Sequence, residues 1–501
     1  MKVHLLHPDR DLDLGAPMPP EAEALVEDLT LEPILTAMAG GDALYLQVAR
    51  QVLLADTSAD PAVVAYRQDA LADCLAHGDA VRALYACAGQ GLQDVRNLGF
   101  LRLYSRSPGT TLFSALHVIE VVAKTLRRLR SLVEDMRTGF RSDAFGRLFA
   151  TVLAELNDDF FVAVERHREE LSVDEGLLLD ARLGVGNRGV DLTLRRPKER
   201  RRRWLDRIVG GRDSGLSFTI AARDESGHNA LREIRDSAAN EAANALAQAN
   251  DHLIAFLGQL RGELAFYLGC VRLRETLQAH GVEICLPIAR PAAAGGLEAH
   301  ALVDASLALS PELRLVPNDI AADGRPLIVV TGANRGGKTT FLRALGQAQC
   351  MMAAGMFVTA RAFRASLAGR VFSHFPREED ASMRGGRLDE ELTRLGAIVG
   401  RLEADDLLLL NESFSSTNEA EGSELARQVV GALCERRVRV VFVTHFYAFA
   451  RALAGEGRDD TLFLRPERLA DGERTFRILP GEPLSTSFAD DVYRRVFGQA
   501  P

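Results

Sequence analysis

Apolar residues at Leu112, Leu116, Ile119, Val122, Leu126, Leu129 and Val133 recur at spacings of three and four after the turn signal SPGTT, which predicts one long amphipathic helix. The same helical period runs from about Pro20 to about Leu183. Arg127, Arg128 and Arg130 fall on the polar side of this helix and read as a solvated face. Between about Gly184 and Arg223 the period fails. There the segment LRRPKERRRRW puts seven basic residues (Arg195, Arg196, Lys198, Arg200, Arg201, Arg202, Arg203) into eleven positions, with Trp204 behind them. Such a run is either a solvated linker or a phosphate-contacting patch. After the β-like stretch LSFTIAARD, a helix is expected from Asn229 to about His280. Ala238, Ala242 and Ala245 are small enough for close packing on it, and the helix is long enough to act as a lever. The Gly- and Ala-rich ARPAAAGGLEAH, near residues 289 to 300, marks the expected domain boundary. Beyond it β-branched apolar runs alternate with helices, the pattern of an α/β domain with a buried parallel sheet. The expected organisation is multidomain: an all-α domain over residues 1–300 with a basic insertion near 185–225, then an α/β domain over 301–501.

A chain of 501 residues is too long for one core, which agrees with that division. Its 47% hydrophobic and 26% charged residues, with only 6% aromatic, are the balance of a helix-rich globular protein. A net charge of −9 excludes a surface that coats nucleic acid throughout, so any such contact is local. The six cysteines (Cys74, Cys87, Cys270, Cys285, Cys350, Cys434) form no CxxC pair. Neither a zinc site nor a disulfide framework is suggested, and buried thiols in a reducing compartment are expected. The opening MKVHLLHPDRDLDL has no stretch suited to a signal peptide, and no long apolar run stands out, so a cytoplasmic protein without a membrane partner is expected.

PLIVV reads as a short buried strand, and TGANRGGKTTFLRALG follows it directly. Gly332, Gly336, Gly337, Lys338 and Thr339 satisfy the GxxxxGKT pattern in its required context of strand, Gly-rich turn and helix. Glycines let backbone N–H groups close around phosphates, and the helix start adds a positive dipole end. Lys338 reaches the β and γ phosphates of ATP, and Thr339 ligates Mg²⁺. Asn334 and Thr340, on the same loop and helix start, complete this nucleotide-binding set. A second apolar strand, DDLLLLNES, delivers Asn411 to the metal and its water, and Glu412 as the general base. A third, RVRVVFVTH, brings His445 to the same sheet edge, where it reads either as a structural residue or as a γ-phosphate sensor.

TGANRGGKTTFLRALGQAQCMMAAGMFVTA, LLLLNESFSSTNEAEGSELARQVV and VFVTHFYAFA stand in the order and spacing of the MutS family of mismatch-repair ATPases, which this chain resembles. The resemblance is specific over about residues 310 to 450 and looser over about 60 to 310. It implies an ABC-like P-loop ATPase domain of the MutS type after core and lever helices. It implies further that Asn318 and Ile320 help hold the adenine, although turn and edge packing would account for them too. Ser416, Thr417 and Asn418 fall on the signature loop that works between two ATPase domains. FSHFPREEDASMRGGRLDEEL matches the family's trans-acting loop, with Ser382, Arg384 and Arg387 as candidates. Against that pattern, the amino-terminal domain that reads mismatches and a carboxyl-terminal nuclease-like domain after FVTHFYAFA are both expected to be missing. Asn411 stands where the family's pattern has aspartate, so weaker metal binding and slow turnover are expected. The expected function is a homodimeric ATP-dependent clamp on double-stranded or branched DNA, in repair or recombination. The alternative is a nucleotide-switched ATPase that grips a protein or ribonucleoprotein assembly.

Overall fold

The computed structural model describes residues 1–99, 108–171, 179–185, 189–194, 219–221, 223–310, 312–332, 335–377, 386–469 and 474–484. Several helices begin where the sequence offers a cap. Asp42 accepts from the Leu44 N–H before α3, and Asp60 accepts from the Ala62 N–H with Pro61 in the first helical position of α4. The helices are α1 (Ala22–Asp28), α2 (Glu32–Ala39), α3 (Ala43–Arg50), α4 (Pro61–Ala76), α5 (Gly78–Gly99), α6 (Pro108–Met136), α7 (Asp143–Glu155), α8 (Asp158–Leu171), α9 (Glu225–Ala279), α10 (Ala305–Ala308), α11 (Lys338–Ala353), α12 (Arg387–Val399), α13 (Glu419–Glu435) and α14 (Tyr447–Gly455). The strands are β1 (Leu179–Leu183), β2 (Gly189–Leu194), β3 (Ile288–Arg290), β4 (Leu297–Leu302), β5 (Asn318–Ala321), β6 (Leu327–Thr331), β7 (Ala362–Ser366), β8 (Val371–His374), β9 (Leu407–Asn411), β10 (Arg439–Thr444), β11 (Thr461–Arg468) and β12 (Arg474–Pro480).

The chain divides into two units. The first comprises Met1–Val3, Arg82–Gly139 and Arg147–Arg261. Its α6 buries all seven of the periodic apolar residues from Leu112 to Val133, each worth about 1.5–3 kcal/mol of transfer free energy. Leu112 and Leu116 pack on Ala239 and Ala243 of α9, and the Asn250 amide donates to the Ala115 carbonyl at 2.8 Å. Small side chains let these helix backbones approach closely. Arg127 and Arg128 are exposed, as expected of a polar face, with Arg127 over the Phe161 ring, while Arg130 bonds Asp158 at 2.6 Å. The helical period does not reach Leu183, because Leu179–Leu183 pairs antiparallel with β2 in a hairpin. The described residues of LSFTIAARD form no strand.

The second unit comprises His4–Val81, Phe140–Gly146 and Gly262–Pro501. Its main sheet runs β12-β11-β6-β10-β9-β8, parallel throughout except for the β11–β12 pair. Every residue of β6 and β9 is buried. That is why LIVVT and LLLLN read as unbroken apolar runs rather than alternations. The smaller sheet runs β3-β7-β4-β5. The Gly/Ala-rich segment near 289–300 is therefore not a linker: it supplies β3 and β4, and the Gly296 N–H donates to Ser366 Oγ at 3.0 Å.

The division also differs from a cut at residue 300. The first eighty or so residues join the unit that holds β6 and α11, through buried polar contacts that no periodicity reveals. Glu263 accepts from the N–H groups of Leu5 (2.7 Å), Leu6 (3.1 Å) and Leu12 (3.0 Å), and Tyr267 donates to the Leu5 carbonyl at 2.7 Å. Arg67 is completely buried. It donates to the carbonyls of Leu6 (2.8 Å) and Asp56 (2.9 Å) and to the Asp56 carboxylate (2.8 Å), which also meets His7 and Arg10 at 2.6 Å each. On α11, Gln347 donates to the Leu29 carbonyl at 2.8 Å, and Arg343 pairs with Asp304 at 2.6 Å. Ser237–Ala279 of α9 matches a membrane-crossing helix in length and mean hydropathy (1.2), but 72% of that apolar window is buried, as in the core helix of a folded protein. The six cysteines are unpaired, four of them buried, and burial pushes the Cys285 thiol up to about 11 and that of Cys350 up to about 12.

Candidate functional site

The site lies at the carboxyl ends of β6, β9 and β10, which the register aligns: Thr444 stands beside Thr331, and Val443 beside Asn411. After β6 the chain turns at Gly332 (φ +132°) and, before α11, at Gly337 (φ +88°). A Cβ on Gly337 would come within 3.1 Å of the Phe476 carbonyl oxygen, so conformation and space both call for glycine there. Lys338 then starts α11 with its side chain 4% exposed, donating to the Gly332 carbonyl at 2.6 Å and 3.9 Å from Glu412 Oε1. Burial pulls its pKa down, Glu412 opposes this, and Arg474 at the start of β12 adds to the fall. A desolvated ammonium and a helix N-terminus at one turn form a receptor for anionic oxygens.

Thr339 donates its hydroxyl to Asn411 Oδ1 at 3.1 Å, joining α11 to the end of β9. These two oxygens are hard, neutral donors of the kind Mg²⁺ accepts when phosphates supply the charge. Among the described residues no group of three or more His, Cys, Asp or Glu could hold a metal by itself. Glu412 continues the ladder, its N–H donating to the Val443 carbonyl at 2.7 Å, and then turns at φ +48°. The buried Phe414 stands at φ +70°. Each non-glycine residue in that region costs on the order of 1–3 kcal/mol, a strain that clusters at working sites. The Glu412 carboxylate lies between Lys338 and His445, whose Nδ1 is 3.8 Å from Oε2.

Lys338, Thr339, Asn411, Glu412 and His445, expected from separate stretches of sequence, thus meet at one edge of the sheet. Gly336 is buried beside them, and Thr340 is half-buried in α11. On the signature loop, Asn418 caps α13 by accepting from the Glu421 N–H at 3.0 Å, and Thr417 bonds the Glu421 carboxylate. Ser416 donates to Glu391 at 2.7 Å. Asn318 and Ile320 have packing parts: Asn318 Oδ1 accepts from the Ile478 N–H at 2.6 Å, and Ile320 is buried. Asn334, Ser382, Arg384 and the basic residues Arg195, Arg196, Lys198, Arg200, Arg201, Arg202 and Arg203 lie outside the described residues, while Arg387 opens α12. Sequence reasoning missed His374, Glu391 and Arg394, which surround the loop after Glu412. A histidine closing the apolar run VFSH was the available signal.

Residues 59–280 match the family model described as the MutS2 N-terminal domain, and residues 328–457 match the one described as MutS domain V. The chain belongs to the MutS family. The domain V match runs from within β6 to just past α14, and so contains every residue from Gly332 to His445 discussed above. The MutS2 N-terminal match covers the helices from α4 to α9. Similar relatives include the DNA mismatch repair protein MutS of Synechococcus sp. (strain CC9902), 29% identical over 205 residues, which are 37% of this chain and 22% of that protein. Endonuclease MutS2 of Streptococcus pneumoniae (strain Taiwan19F-14) is 30% identical over 195 residues, 36% of this chain and 24% of that protein. The chain thus covers less than a quarter of the length of these MutS-family relatives.

Proposed function

We propose that this chain is a MutS-like ATPase that binds ATP with Mg²⁺ and uses the nucleotide to open and close a DNA clamp in repair or recombination. The observation that carries this reading is the meeting of Lys338, Thr339, Asn411 and Glu412 at the ends of β6 and β9, inside the domain V match. Bound ATP would lay its β and γ phosphates along the turn from Gly332 to Lys338, with the Lys338 ammonium on their oxygens. Thr339 and Asn411 would hold Mg²⁺ or its water. Glu412 is placed to take a proton from a water attacking the γ-phosphate, and His445 to sense that phosphate. One P-loop leaves the far side of the γ-phosphate open, so a second copy of the chain, contributing Ser416 to Asn418, would complete the site.

Lys338→Ala tests the reading most directly. The variant should keep the fold and lose tight ATP binding, by about a hundredfold or more, because the desolvated charge on the phosphates is removed. Titration with a fluorescent ATP analogue measures it, and unchanged affinity would sink the assignment. The net charge of −9 favours a second reading, an ATPase whose arms grip a protein or ribonucleoprotein assembly. Duplex DNA binding that weakens steeply with salt separates the two, since only phosphate contacts release counterions.

A further inference from the structure

The loop carrying Glu412 leaves β9 in a conformation that L-residues resist, with Glu412 at φ +48° and Phe414 at φ +70°. Something outside the loop has to hold it there. Two side chains do so. Glu391 of α12 accepts from the Phe414 N–H with one carboxylate oxygen and from the Ser416 hydroxyl, at 2.7 Å, with the other. His374, the last residue of β8, is buried, with Nδ1 2.7 Å from Ser413 Oγ and Nε2 3.1 Å from Arg394 Nη2 of α12. One tautomer satisfies all of these atoms. The Ser413 hydroxyl donates to the His374 carbonyl at 3.3 Å, so Nδ1–H donates to Ser413 Oγ, and the bare Nε2 accepts from the guanidinium. Burial, aided by the Arg394 charge, holds the imidazole down to about 3, so it stays neutral wherever the protein is folded and working. Between α12 and the loop lies a cavity of about 310 Å³, lined by Glu391, Arg394, Ser415 and Ser416 among others, so polar contacts bridge a gap there that packing leaves.

The geometry points to His374 and Glu391 as positioning residues for Glu412, which tie its loop to β8 and α12 and make the aim of its carboxylate depend on where α12 stands. This rests on the proposed ATPase function. Any contact that shifts α12 would pass through Arg394 and Glu391 to Glu412. Binding of ATP, which uses the turn from Gly332 to Lys338, would be spared.

Two measurements on the full chain test it. Hydrogen–deuterium exchange needs no turnover: over residues 412–418 it should quicken about tenfold or more in Glu391→Ala and in His374→Ala, with Gly336–Thr340 unchanged. Equal exchange in variant and native chains would overturn the anchoring role. In steady-state assays kcat should fall about tenfold while the dissociation constant of a fluorescent ATP analogue stays within about twofold. His374→Asn, which keeps a donor at the Nδ1 position, should recover most of the loss. Unaltered turnover, or kcat and affinity falling together, would overturn the positioning role. If an alanine variant fails to fold, Glu391→Gln and Ser413→Ala, each of which removes one anchoring acceptor, serve in the same exchange test. A native chain inert toward ATP would instead remove the ATPase reading, and the exchange result would still decide whether the loop is anchored as described.

Discussion

Asn411 and Thr339 meet at 3.1 Å across the gap between β9 and α11, and under the proposed function the chemistry of that pair would set how firmly Mg²⁺ is held. Asparagine offers a neutral carbonyl oxygen, whereas aspartate would offer a charge. Glu421, a nearby carboxylate in sequence, is engaged with Thr417 and the Asn418 cap. We therefore expect Asn411→Asp to lower the Mg²⁺ concentration needed for half-maximal ATPase by about threefold to tenfold and to speed turnover. Glu412→Ala should abolish hydrolysis. Steady-state rates across a Mg²⁺ series check both, and an Asn411→Asp variant indistinguishable from the native chain would remove slow turnover as a consequence of this residue. At this scale the sequence was informative where spacing is dictated by chemistry. A strand, a Gly-rich turn and a lysine opening a helix can be read as one device, and so Lys338, Thr339, Asn411 and Glu412 were all named. His374, Glu391 and Arg394 were not singled out: FSHFPREEDASMRGGRLDEEL contains the first two, but that segment was read only for a residue acting in trans, and the three reach the site from a different strand and helix.

Strand and helix identities followed from periodicity where burial is complete: LIVVT, LLLLN and the stripe from Leu112 to Val133 each took the expected form. Periodicity failed where polar side chains decide the packing. Arg67, on α4, looks like one more helix-face arginine in sequence, yet it is the buried centre that joins Leu6, Asp56 and the end of α11. Burial pushes the Asp56 carboxyl up, but the His7 hydrogen bond and the Arg67 charge outweigh this and hold it below its ordinary value. Its contribution to stability is therefore present above the unfolded pKa of about 3.9 and is lost as pH falls through the lower folded value. Asp56→Asn should cost about 3–5 kcal/mol at neutral pH, since it leaves Arg67 buried without its counter-charge. The difference from the native chain should shrink below about pH 4, where the unfolded chain's carboxylate takes up protons before the folded one does. Urea unfolding at pH 7 and pH 3.5 measures this, and a constant difference at the two values would contradict it.

For the whole molecule, a net charge of −9 beside the basic run from Arg195 to Arg203 makes a strong, local prediction about DNA. Reversing four of those arginines to glutamate should weaken duplex binding by about tenfold or more, alike for matched and mismatched duplexes, and flatten the salt slope. Filter binding across a salt series decides it, and equal affinity before and after the change would favour a protein or ribonucleoprotein partner. The unit bearing the candidate site is drawn from His4–Val81, Phe140–Gly146 and Gly262–Pro501. A ribosome delivers these stretches in order, so Leu5, Leu6 and Arg67 emerge long before Glu263, Tyr267 and Ala354, which receive them. At typical elongation rates that interval is on the order of 10–60 s. Throughout it the amino-terminal stretch carries unburied leucines and an arginine without its full set of acceptors, the kind of surface that holding chaperones retain. The candidate site is then completed late: Lys338 and Thr339 wait for Asn411 and Glu412 at the end of β9, and these for His445 after β10.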